Sequence, residues 1–283
     1  MDWSKAKRIL IVALLITNVI LFGNLSFNYY YKRDKTTTNE FIDKTVELLG
    51  EKDIKIDAYI PKNKSNLPSL RVEFETYSAS NINERFFDSL GTITEPSVDY
   101  NKISYGDELI SIINSRTIRY ENSSTRGDYN IENSTQAENL IKDFLIDHKF
   151  DFTNMQRTFV SEEDGRYYIN YSKTYDDIVI ERSHCRFVVD KSIGIISMDR
   201  LWLNVIDKSQ SEIHLSSAPK ALLTLLDDSE NYGKTIVNID ECFYFDPEAQ
   251  GYVEDITKAT QGRAIPAWRI QFDDGESIEV DNY

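Results

Sequence analysis

The chain predicts an α+β fold led by one membrane-spanning helix, and three observations point there. A run of 23 residues without charge, Ile9 to Tyr31, is dense in Ile, Leu, Val and Phe. Two capping-box motifs, Thr37-x-x-Glu40 and Thr135-x-x-Glu138, each open a stretch of helical period. Downstream of each box, much of the sequence alternates apolar and polar residues with the period of two that marks half-buried strands. Helices segregated among antiparallel strands define the α+β class.

The uncharged run comes first. At about 1.5 Å of rise per residue it reaches roughly 35 Å, enough to cross a hydrocarbon core of about 30 Å with some tilt. A cleaved signal peptide is the competing reading, because Lys5, Lys7 and Arg8 form a positive n-region and Ile9 to Phe22 has h-region length. No A-x-A-like site comes after it, and Asn24, Phe27 and Tyr29-Tyr30-Tyr31 continue the segment as an interfacial aromatic belt, which favours an uncleaved anchor. Basic residues stand in equal number on both flanks. The short basic N-terminus before a single hydrophobic segment then favours residues 1–8 inside, 9–31 in the membrane and the long polar region exported.

Within that helix Ala13, Thr17, Asn24 and Asn28 are spaced by four, seven and four residues, which gathers them into one stripe. Two readings stay open. Small and polar residues along one line suit packing against a neighbouring helix, where each amide or hydroxyl contributes roughly 0.6 to 2 kcal/mol. Asn24 and Asn28 also suit headgroup depth.

Residues 1–35 hold six basic and two acidic residues, so of the chain's net charge of −15 the remaining 248 residues carry −19. Such a surface repels nucleic acid and anionic headgroups, which excludes nucleic-acid binding as a function.

Two domains are expected in the polar region. The first, 36–120, opens with a helix that buries Phe41, Ile42, Val46 and Leu49 and stops at Gly50, with strand-like sequence from Ile54. Leu70, Val72 and Phe74 alternate with Arg71, Glu73 and Glu75. A linker is expected at 121–133, where Asn122-Ser123-Ser124 and Arg126-Gly127-Asp128 interrupt the apolar pattern. The second domain, 134–283, opens with a helix burying Leu140, Ile141, Phe144 and Leu145. Strands are expected at 167–171, 187–189, 193–198, 202–205, 237–245 and 268–272, with a third helix at 216–226 that has Pro219 in its first turn.

Residues arranged for chemistry are scarce. His148, His184 and His214 stand apart, without H-x-x-x-H or C-x-x-C spacing, so no metal site or cofactor is expected. His184-Cys185 are adjacent strand residues that point to opposite faces, which rules them out as a nucleophile pair. Cys185 and Cys242 are read as two unpaired core thiols. The acidic pairs Asp176-Asp177 and Asp273-Asp274 fall where hairpin turns are due, and solvated turns outrank catalytic carboxylates there. No catalytic residue is assigned.

Two segments carry a family resemblance: Met1-Asp2-Trp3-Ser4-Lys5-Ala6-Lys7 running directly into the apolar anchor, and Gly262 with Pro266-Ala267-Trp268-Arg269-Ile270. Together with chain length and layout they resemble the YycI (WalI) family of Gram-positive bacteria. The segment Ser277 to Val280 departs from the family, which ends on a more aromatic strand. The resemblance implies a single-pass, non-enzymatic regulator of the WalK–WalR two-component system that governs cell-wall homeostasis. It implies two YycH/YycI-like helix-plus-sheet ectodomains. The implied partners are a WalK-like sensor histidine kinase and a YycH-like sister protein, met through transmembrane helices and extracellular domains. On this reading Ala13, Thr17, Asn24 and Asn28 form the helix-contact face, and Trp3, Lys5, Lys7 and Arg8 set depth at the cytoplasmic interface. Two other classes stay open. An exported protease-inhibitor or peptide-binding module would need only the ectodomain, and a wall-acting hydrolase would need a carboxylate pair in a cleft.

Overall fold

The computed structural model describes residues 3–31, 35–62, 65–246 and 260–281, with the side chains of 4–6, 8–9 and 24–31 outside the description. Helix α1, Trp3–Tyr31, is 29 residues long, and its described apolar side chains, from Leu10 to Phe22, are exposed. Among the described residues no helix is long and apolar enough to cross a membrane.

Helix α2, Asn39–Gly50, starts one residue later than the capping box places it: Thr38 accepts the amide of Phe41 at 3.4 Å. The buried stripe is Ile42, Thr45 and Leu49, and Val46, expected in it, is 41% exposed. Strands β1, Lys55–Ile56, and β2, Asn66–Phe74, come next. Helix α3, Ala79–Phe87, was not expected; Ser78 caps it and Asp88 closes it at φ 48°. Strands β3, Thr92–Ser97, β4, Tyr100–Tyr105, β5, Glu108–Ile113, and β6, Thr117–Asn122, form an antiparallel meander.

Helix α4, Ser134–Asp147, is capped by Asn133, which accepts the amide of Gln136 at 3.0 Å, while the Gln136 side chain accepts the amide of Glu132 at 2.8 Å. The cap therefore lies two residues before the Thr135 expected for it. Then come β7, Met155–Glu163, β8, Arg166–Tyr175, β9, Ile178–Asp190, β10, Gly194–Leu201, and β11, Leu203–His214. The third helix is shorter than expected: α5 covers Ala218–Leu222 and tightens into a 3₁₀ turn over Leu223–Asp227. Strands β12, Thr235–Tyr244, β13, Gln261–Phe272, and β14, Ser277–Val280, complete the described elements. Asp176 and Asp177 take φ 50° and 64° between β8 and β9, the left-handed pair of a tight hairpin turn.

Pairing runs β11-β2-β13-β12-β9-β10-β6-β5-β4-β3, with β7-β8 joined to β9, β14 to β13 and β1 to β12. Three cores result. The first is fed only by residues 77–202 and holds α3 and α4 against β4–β6 and β8–β10. The second packs α2 and α5 against one face of β12, β13 and β14, and the third joins β2 to β11, the start of β9, and β12 and β13. The packing thus divides the chain differently from the expected boundary. Segment 121–133 lies inside the stretch that feeds the first core, and β2, in the expected first domain, pairs with β11 and β13 of the expected second. The physical reason is that β2 presents Leu70, Val72 and Phe74 to apolar partners some 130 to 190 residues further along, a non-local pairing that no local pattern specifies.

Candidate functional site

The family-like segment sits mid-way along β13, a strand buried on both faces from Ala264 onward. Trp268, 1% exposed, packs in the second core and donates its indole N–H to the Ser216 carbonyl at 2.8 Å. Ala267 is fully buried. Pro266 occupies a gap: on one edge of β13 the partner β2 reaches only as far as Ala264 and β14 begins only at Trp268. A residue without an amide N–H costs no ladder bond on an unpaired stretch of edge.

Arg269 points to the opposite face from Trp268. Its side chain is 7% exposed, and its Nε lies 2.6 Å from Glu181 Oε1 on β9. The N–H direction misses that oxygen, so the contact is an ion pair rather than an aligned hydrogen bond. Nη1 donates to Gln271 Oε1 at 3.3 Å. Glu279, directly across from Arg269 on β14, is the second carboxylate on this face. Its pKa is pushed up to about 7, first by burial and then by the charge of Glu181, against the Ser277 hydroxyl and Arg269.

Glu181, Ser277 and Glu279 line a cleft of about 760 Å³ between β8, β9 and β14, walled also by Asn170, Arg182, His184, Lys234 and Glu276. Two of its basic side chains have acidic partners. Lys234 reaches Asp274 at 3.2 Å and Glu276 at 2.6 Å, and His184 approaches Asp199 at 3.5 Å. The cleft is lined mainly by charged and polar side chains. It presents no nucleophile paired with a base.

A second polar cluster lies where the chain passes between the first and third cores. Arg200, 0% exposed, donates Nη2 to Glu75 Oε2 and to the Asp151 carbonyl, both at 2.9 Å, and Nε to Tyr77 Oη at 3.2 Å. Its guanidinium stacks 4.2 Å from the Trp202 ring centroid, and Cys185 stands opposite it in the β9–β10 register. Burial pushes the Cys185 thiol up to about 11, with Arg200 pulling the other way. Leu203 donates its amide to Ser183 Oγ at 3.1 Å, next to Arg182, whose φ of 74° coincides with the register shift between β8 and β9. Both strand-to-strand crossings, at 74–77 and 200–203, are tied here.

The structure treats the expected residues unevenly. Thr17 donates its hydroxyl to the Ala13 carbonyl at 2.9 Å, within the helix itself. Trp3 is 83% exposed and Lys7 is exposed, while the side chains of Lys5, Arg8, Asn24 and Asn28 lie outside the described residues. Pro266 to Arg269 are brought to one site. Cys185 and Cys242 are both buried and unpaired. His148 packs on Phe86 and Phe144 and bonds the Phe144 carbonyl at 2.8 Å. Among the described residues no three His, Cys, Asp or Glu converge as a metal centre. Arg200, Glu181 and Glu279 were not anticipated. For Arg200 a signal existed, since it shares strand parity with the buried Met198 and so points inward.

No family model matches the chain, and no curated protein matches it. Solved structures do. The crystal structure of YycH from Bacillus subtilis matches with a TM-score of 0.50 at 12% identity, over 75% of this chain and 52% of that one. The fold is YycH-like. The C-terminal domain of YpeB from Bacillus megaterium matches with a TM-score of 0.39 at 10% identity, over 74% of this chain and all of that one. The chain spans about half the length of the YycH structure it matches.

Proposed function

We propose that this chain is a membrane-anchored, non-enzymatic regulator of a WalK-like sensor histidine kinase, acting in a complex with a YycH-like protein. The observation that carries the reading is the YycH-like fold over three quarters of the chain. The YycI-like opening segment and the Pro266 to Arg269 segment support it from the sequence.

The anchor on this reading is Ile9 to Tyr31, which lies within the 29-residue α1, with residues 1–8 cytoplasmic and the sheet region outside the cell. Its contact face is the stripe Ala13, Thr17, Asn24 and Asn28. Regulation results if that face packs better against one of two signalling states of the kinase, since a ligand shifts an equilibrium only by its differential affinity. The test replaces residues 9–31 with an unrelated single-pass helix of equal length and measures transcription of the kinase's target genes. Loss of regulation with normal surface level of the protein is expected; full regulation would assign the work to the ectodomain alone.

A further inference from the structure

A second cleft, of about 720 Å³, lies over β11, β2 and β13, on the face opposite to Leu70, Val72 and Ala264, which fill the third core. Its shape comes from a bulge. Between the pairs Lys208–Leu70 and Glu212–Pro68, three residues of β11, Ser209 to Ser211, stand against the single residue Ser69 of β2. Extra residues of this kind bend a strand and re-aim its side chains. The Ser209 hydroxyl accepts the Ser211 amide at 3.1 Å, which folds the bulge on itself, and both serines line the cleft.

Two arginines share this face. Arg71 of β2 and Arg263 of β13 are register partners, so their side chains leave the sheet directly opposite each other. Like charges so placed repel, and anions relieve them. Among the described residues that line the cleft the only carboxylate is Asp207, and it is already engaged, meeting Arg71 at 2.6 Å. Arg263 is exposed and has no ion pair with a described residue. It is nevertheless held in place. Its Nε donates at 2.6 Å to the hydroxyl of Ser69, a residue only 2% exposed. The strand beside it is pressed onto the third core, since a Cβ on Gly262 would fall 2.3 Å from the Phe245 ring. Gly262, part of the family-like sequence, thus fixes the backbone that carries Arg263.

We propose that this cleft binds a phosphate ester. The donors come from three strands: the outer guanidinium nitrogens of Arg263 from β13, Arg71 from β2, and the serine hydroxyls of the bulge from β11. Donors converging from three strands suit a tetrahedral phosphate better than a planar carboxylate, and the arginine fork matches two phosphate oxygens at once. A volume of about 720 Å³ is that of a small-molecule site and leaves room for an organic body beside the phosphate, whose hydroxyls Asp207 and Gln261 accept. Asp207 competes with the phosphate for Arg71, so a dissociation constant of about 1 mM is expected. The site uses the sheet region alone and does not depend on the anchor.

Titration of glycerol phosphate with the full-length chain in an uncharged detergent, read by phosphorus NMR line broadening, tests this, with urea midpoints confirming that each variant folds. The native protein should show saturable binding, and Arg263→Ala should weaken it about tenfold or more. Arg263→Lys keeps the charge but loses the fork, and should also bind more weakly than the native protein. Asp207→Asn frees Arg71 and should bind several-fold more tightly, a gain that misfolding cannot produce. Phosphatidylglycerol in the micelle that displaces the probe marks the natural phosphate as a lipid headgroup, and no displacement marks it as soluble; both results keep the site. No saturable binding by roughly 10 mM, equal binding by the native protein and Arg263→Ala, or equal competition by acetate would overturn the proposal.

Discussion

Replacing Arg200 with methionine should unfold this protein more readily than any surface charge change. The side chain is 0% exposed and supplies three hydrogen bonds, to Glu75, Tyr77 and the Asp151 carbonyl. Methionine fills much of the volume but leaves Glu75, with 21% of its side chain exposed, without its cation. Breaking a buried pair by removing one partner costs about 3 to 5 kcal/mol, because the remaining charge is uncompensated. Arg71 and Asp207 provide the contrast: they meet at 2.6 Å but are 54% and 55% exposed, so Arg71→Ala should cost under about 1 kcal/mol. Urea denaturation monitored by circular dichroism measures both. Adding Glu75→Gln to Arg200→Met should recover about 1 kcal/mol or more, since the orphan charge is removed. A loss for Arg200→Met no larger than that for Arg71→Ala would refute the claim that this cluster ties the two strand crossings together.

The same geometry fixes other outcomes. Cys185 and Cys242 should resist a thiol reagent in the folded protein and react together on denaturation, as burial pushes both thiols up in pKa; rapid native labelling of either would contradict their placement. Asn133→Ala should cost about 1 kcal/mol by loss of the α4 cap, whereas Thr135→Ala should be nearly neutral, read as midpoint shifts in urea. Burial works against ionisation of Asp199, but His184 and Arg119 outweigh it and hold its pKa below the ordinary 3.8; stability from this group is present above that value and lost as pH falls through the lower folded one. Asp199→Asn should therefore flatten the acid limb of the stability profile, and an unchanged limb would remove that contribution. On the proposed role, replacing Asn24 and Asn28 with leucine should weaken co-purification of a WalK-like kinase while leaving the stability of the sheet region unaltered.

The features legible in the sequence were those with local causes. The strands around Val72, Phe187, Ile195 and Trp268 declare themselves by alternation, and Asp176-Asp177 by turn chemistry. Helix α3 did not, because Ser80, Asn81 and Asn83 are weak helix formers. Its support is tertiary: Asn83 exchanges two 2.9 Å bonds with the backbone of Gly91, while Ile82 and Phe87 are buried in the first core. The caps were misplaced by one and two residues because Thr37, Thr38 and Asn133, Ser134, Thr135 offer several acceptors in a row, and packing chooses among them. The Glu181–Arg269–Glu279 group was invisible for the same reason as the lobed packing. Glu181 lies far from Arg269 in sequence and is joined to it only by the β9-β12-β13 order, while Glu279 follows within the β13–β14 hairpin.

Whether this chain is a regulator held beside a kinase and a YycH-like protein is decided by in-membrane cross-linking. Photoreactive residues are placed at Ala13 and Thr17, and the captured chains are identified. Recovery of the kinase and the YycH-like protein from Ala13 and Thr17, but not from Leu15 on the opposite face, is the predicted result. Capture of neither partner from any position, with the protein at its normal level in the membrane, would contradict the proposed role.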